Sequence, residues 1–98
     1  MATLSASEVQ DRLRQLPGWA VEDGAIWRKF TFAGFADAVA FVVRLGFVAE
    51  ATDHHPAILI DYKRVTLTYV THSAGGLTPK DFAGATEATA LAESMGSS

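Results

Sequence analysis

Hydrophobic positions along the chain switch between a spacing of three or four and a spacing of two, and the switches divide it into helices and strands. Val9, Leu13 and Leu16 mark one helical face. It is entered through Ser5-Ala6-Ser7-Glu8, which has the form of a capping box with Leu4 and Val9 placed as a staple, and it stops at Pro17-Gly18. Trp19–Glu22 and Ala25–Phe32 read as two strands around Asp23-Gly24, a dipeptide suited to a two-residue hairpin turn. Ile26, Phe30 and Phe32 share a parity, and Arg28 is the exception that must sit near a sheet edge.

From Phe35 to Thr52 the apolar positions Phe35, Ala38, Val39, Val42, Gly46 and Ala49 fall three, four or seven apart, the stripe of a central helix. Pro56 disfavours helical geometry at His55, so this helix is expected to end near Asp53 or His54. Ala57–Asp61 and Val65–Thr71 read as strands joined tightly around Tyr62-Lys63-Arg64, with Val65, Leu67 and Tyr69 inward. Gly75-Gly76 breaks regular structure. Thr78-Pro79-Lys80-Asp81 then opens an Ala-rich helix to about Ser94, and Gly96-Ser97-Ser98 is expected to fray. The order helix, two strands, helix, two strands, helix implies an α+β two-layer sandwich with an antiparallel sheet and helices on one face.

Composition narrows the chemistry. A chain of 98 residues, 49% hydrophobic and 19% charged, is expected to be one domain over residues 1–98. A net charge of −3 gives no electrostatic reason for a nucleic acid or an anionic membrane as partner. With no cysteine there is no disulfide, thiolate nucleophile or Cys-ligated metal. No apolar run reaches the ~20 residues of a spanning helix, so a cytoplasmic protein is the expectation.

What remains is histidine, carboxylate and hydroxyl chemistry. Glu50, His54, His55, Pro56, Tyr62, His72 and Asp81 gather all three histidines with acidic and aromatic companions. Imidazole, with a pKa of about 6.5, exchanges protons near neutrality without extensive tuning. Glu50 precedes His54 by four residues, so it could orient that ring if the helix persists. His55, held extended by Pro56, would point elsewhere. Parity turns His72 away from the helix-covered core, and Asp81 is either a site carboxylate or simply the third-position acid of a capping box. Trp19 and Trp27 suit packing better than stacking on a ligand, since aromatics dominate small cores. A metal is the rival account, but adjacent histidines diverge, unlike the i, i+4 pairs of helical metal motifs, so none is expected.

The spaced acid, His54-His55-Pro56, the aromatic Tyr62, His72 and Asp81 together resemble the signature of the pterin-4a-carbinolamine dehydratase family. That family is also described as the dimerisation cofactor of a hepatocyte nuclear factor. Leu16-Pro17-Gly18-Trp19, Phe32 with Phe35, Ala38 and Phe41, and the run Thr71 to Thr78 extend the resemblance over nearly the whole chain, although Ser73 stands where an acid is frequent. The resemblance implies a four-stranded α+β fold, a homodimer or homotetramer, no metal or organic cofactor, and dehydration of 4a-hydroxytetrahydrobiopterin to quinonoid dihydropterin. It implies His54 and His72 as acid and base, His55 and Asp81 positioning the pterin and sharing protons, and Glu50 tuning His54. Pro56, Trp19 and Thr71 join Glu50 and Asp81 as implied substrate contacts. Some relatives are non-catalytic partners, for a transcription factor or in carboxysomal assembly, so a protein-binding module is the alternative.

Overall fold

A computed structural model describes residues 2–98. Helix α1 (Ala6–Leu13) leads into strands β1 (Ala20–Glu22) and β2 (Ala25–Thr31), then helix α2 (Phe35–Thr52). Strands β3 (Ala57–Asp61) and β4 (Arg64–Tyr69), a short 3-10 turn at His72–Ala74 and helix α3 (Pro79–Ser94) follow. The strands form one antiparallel sheet in the order β1-β2-β4-β3, with helices on one face. This is the expected α+β architecture.

Alternation explains which face is covered. Ile26 opposite Tyr69 and Phe30 opposite Val65 put their side chains under the helices, where Phe41, Leu45, Phe82 and Ala85 meet them in one core. Phe41 lies 5.7 Å from Phe30 and 5.0 Å from Phe32 between ring centroids, which fixes the middle of α2 over β2. The Asp23-Gly24 turn has positive φ at both residues, the geometry that lets a two-residue loop follow the strand twist.

Helices α2 and α3 and strand β3 occupy the expected spans, the other strand ends shift by one residue, and three ends differ by more. Helix α1 stops at Leu13, because Pro17 disfavours α geometry at Leu16 and the intervening residues close i to i−3 bonds instead. Strand β4 stops at Tyr69, and Thr71 leaves the ladder to make an isolated bridge with Gly76. The last residues do not fray: Ser98 exchanges two backbone hydrogen bonds with Thr31 at 2.9 and 3.0 Å. The three-residue β1 covers β2 only as far as Trp27, so the outer edge of β2 beyond it is open to the tail.

The same short β1 answers the question of Arg28. Inward in parity, it lies just past the end of β1 and reaches over the Phe30 ring at 4.5 Å, donating to the Pro17 carbonyl at 3.1 Å. Among the described residues no helix is long and apolar enough to cross a membrane.

Candidate active site

The site is built where α2 ends and α3 begins. Asp53 adopts φ 51°, left-handed geometry that aspartate tolerates better than most residues. The Asp53 N–H then donates to Glu50 and the His54 N–H to Ala49, the reciprocal bonds of a Schellman ending. The chain reverses there, which carries His54 back against the core instead of along the helix. Its ring stacks on Tyr69, with centroids 5.9 Å apart and planes 24° from parallel, and its side chain is only 13% exposed.

Asp81 meets it from α3. The carboxylate is fully buried, and Oδ1 lies 2.6 Å from His54 Nε2. The other oxygen, Oδ2, accepts from the Thr71 hydroxyl and the Thr78 N–H, each at 2.9 Å. Because the Thr71 proton points at Asp81, the 2.8 Å contact between the two threonine hydroxyls must be donated by Thr78. Every partner around Asp81 is therefore a donor, and His54 faces it with Nε2–H. That tautomer leaves Nδ1 as the nitrogen free to take or give a proton.

The two readings of Asp81 are thus both true, one for each oxygen. Oδ2 completes the capping box at the start of α3, and Oδ1 orients a histidine 27 residues away in sequence. Thr71 was expected to touch substrate; it is buried and holds the carboxylate instead.

Glu50 does not tune His54. Its Oε1 lies 2.5 Å from Nε2 of His55, and both side chains of this pair are exposed to water. The expected i, i+4 contact fails because the helix ends two residues before His54. His55 does point away from its neighbour, as the proline suggests, and Pro56 is half-buried between it and β3. His72 is exposed in its 3-10 turn; parity no longer governs it, since the strand has already ended. The three imidazoles form no contacting cluster. They are instead joined through one run of neighbours: His72 follows Thr71, Thr71 bonds Asp81, Asp81 bonds His54, and His55 comes next.

Two implied contacts lie elsewhere. Trp19 is 6% exposed, packs its ring on Phe30 and Tyr69, and donates from Nε1 to Thr89 at 2.9 Å. Its hydrophobic area is used in the core, so it supports Tyr69 from behind and offers no stacking face. Tyr62 takes φ 55° in the β3–β4 hairpin at the opposite end of β4 from Tyr69, about 17 Å away for five strand steps, and cannot reach the histidines. Sequence reasoning missed the site roles of Thr78 and Tyr69. Thr78 was seen only as a helix cap and Tyr69 only as an inward strand position. Among the described residues no three His, Asp or Glu groups are placed to hold a metal ion.

A small α+β protein with a buried histidine–carboxylate pair at the end of its sheet is the class that the fold and site define. Its sequence carries the assignment further. The chain belongs to the pterin 4 alpha carbinolamine dehydratase family, whose model matches residues 2–91. A protein of Chloroflexus aurantiacus provisionally named pterin-4-alpha-carbinolamine dehydratase is 49% identical over 98% of this chain and all of its own length. One of Picosynechococcus with the same provisional name is 51% identical over 84% of this chain and 90% of its own. The crystal structure of a transcriptional coactivator/pterin dehydratase from Brucella melitensis superposes with a TM-score of 0.88 at 39% identity, covering 92% of this chain and 98% of that one. A pterin dehydratase-like protein identified as a RuBisCO assembly factor in the alpha-carboxysome superposes at 0.62, with 25% identity over 76% of this chain and 86% of that one.

Proposed function

We propose that the protein dehydrates 4a-hydroxytetrahydrobiopterin to quinonoid dihydropterin and water, with histidines as general acid and base. The observation that carries this reading is the buried His54–Asp81 pair, in a chain that keeps all three family histidines. In the reaction the 4a-hydroxyl leaves as water once it gains a proton, the N5 proton departs, and the C4a–N5 bond becomes double. One acid and one base suffice. Asp81 holds the His54 ring so that Nδ1 serves one of these transfers. His72, exposed and next to Thr71, serves the other, with His55 beside them. No metal or organic cofactor enters the scheme.

Replacing His54 or His72 by Ala is expected to lower kcat/KM at least ~100-fold, followed by the absorbance change of a 4a-hydroxytetrahydropterin. A wild-type protein inert toward every 4a-hydroxypterin would reject the reading. The rival, a protein-binding module, draws support from the RuBisCO assembly factor likeness. It calls for a complex with a larger protein that survives both substitutions.

A second copy of the chain is the other partner we propose. Phe47, 74% exposed, shares the outer side of α2 with Phe35 and Val43, and Ile58 and Leu59 are exposed on the edge strand β3. These residues support a homodimer or homotetramer.

A further inference from the structure

One hydrogen bond does not hold an imidazole still. Asp81 pins His54 at Nε2, 2.6 Å away, and the Nε2–H points largely along the Cβ–Cγ bond about which the ring turns. The Nδ1 lone pair points across that bond. Rotation therefore strains the hydrogen bond much less than it redirects Nδ1, and this torsion is intrinsically broad in histidine. Nδ1 is the nitrogen left to exchange a proton, so the twist of the ring has to be set by another contact.

Tyr69 supplies that contact. Its ring lies offset against the imidazole, with centroids 5.9 Å apart and planes 24° from parallel, an arrangement in which two aromatic rings attract. Turning His54 out of this plane gives the contact up. The tyrosine is itself held on other sides: it is 2% exposed, and Trp19 packs on it at 5.9 Å while donating to Thr89 of α3. Helix α3 passes beside it at Gly84, where a Cβ would stand 2.6 Å from the tyrosine Cε1. Only glycine lets the helix come so close with the ring in place. Open space of about 90 Å³ borders the pair, lined by Val48, Ala83 and Gly84, and it is room into which an unsupported imidazole would turn. Burial, with the charges of Glu87 and Asp81 adding to it, pushes the phenol well above the ordinary tyrosine range, so the ring beside Asp81 stays neutral.

Resting on the dehydratase reading, we propose that Tyr69 is a positioning residue for the reaction: Asp81 fixes the far end of the His54 ring, the tyrosine face fixes its twist, and the two together set where Nδ1 points. Gly84 belongs to the same device, because it lets α3 close over the tyrosine.

Steady-state kinetics on a 4a-hydroxytetrahydropterin, with folding followed by circular dichroism, test this. Tyr69→Leu stays apolar and loses the flat face. Its kcat is expected to fall about tenfold with KM within twofold of wild type, because a misdirected nitrogen slows proton transfer and leaves binding alone. Tyr69→Phe restores the face and is expected to recover at least half of the wild-type kcat. Gly84→Ala forces the tyrosine aside; it is expected to lower kcat about fivefold alone and to add nothing to Tyr69→Leu, since both act through one contact. Should Tyr69→Leu not fold, Gly84→Ala carries the test by itself. Carbon-13 relaxation at His54 Cδ2 reads the twist directly, and the ring is expected to be more mobile in either variant than in wild type. A kcat within twofold of wild type in Tyr69→Leu and Gly84→Ala, a Tyr69→Phe as slow as Tyr69→Leu, or a His54 ring as rigid as in wild type would overturn the role of Tyr69 and leave the dehydratase reading standing. A wild type inert toward every 4a-hydroxypterin would overturn both.

Discussion

Two helices of this protein begin with the same device and use it differently. At α1, Ser5 accepts from the Glu8 N–H at 3.2 Å and Glu8 returns its carboxylate to the Ser5 N–H at 2.9 Å, all in solvent. At α3, Thr78 accepts from the Lys80 N–H and Asp81 returns its carboxylate to the Thr78 N–H, with both Thr78 and Asp81 fully buried. The first box ends there. The second has an oxygen left over, and burial forbids leaving it to water, so His54 and Thr71 are drawn onto the carboxylate. A short acid also matters: aspartate, with one methylene fewer than glutamate, stays close to the helix end and leaves room for an imidazole. Local sequence makes a cap, and burial makes it a site.

Substitutions can break that contrast at several depths. Asp81→Ala removes the acceptor of three buried donors and is expected to cost about 3 kcal/mol in denaturant unfolding. Thr78→Ala and Ser5→Ala delete the two cap hydroxyls. Both are expected to lose about 1 kcal/mol as caps, with Thr78→Ala toward ~2 kcal/mol because its hydroxyl also donates to Thr71. Equal losses would mean that burial adds nothing to the second box.

The smallest effect is the pH-dependent one. Backbone and side-chain hydrogen bonds from Ser5, which favour its charged form, hold the Glu8 carboxyl below its usual value of 4.5. A folded-state pKa that is depressed contributes stability above the unfolded value and loses it as pH falls through the folded one. Urea unfolding of wild type and Glu8→Gln should therefore differ slightly at neutral pH and converge as pH falls below 4.5 and through the lowered value of the folded state. A gap that persists in acid would show that the charge of Glu8 is not what the cap uses.

Much of the frame was legible because its punctuation is local. Thr78-Pro79 opens α3 and Pro56 precedes β3, so helix and strand bounds there follow from capping and proline geometry alone. The site was legible as a set of residues and misread as a set of contacts. Glu50 and His54 have helical spacing, but one left-handed residue, Asp53, swings His54 to a partner 27 positions away. Trp19 and Tyr62 carry aromatic surface that suits a ligand on paper; only the packing sends one into the core and the other to the far hairpin. The paired tail, likewise, depends on the length of β1, which no residue in the tail records.

The leftover oxygen can be altered without losing the cap. Asp81→Asn keeps a side-chain oxygen for the Thr78 N–H, but an amide turned toward Nε2 donates where the carboxylate accepted and drives His54 into the other tautomer, with its proton on Nδ1. Turnover of a 4a-hydroxytetrahydropterin by this variant, with its fold checked by circular dichroism, is the direct measurement. A folded Asp81→Asn with kcat/KM lowered at least ~100-fold is the expected result; a folded variant within threefold of wild type would contradict it.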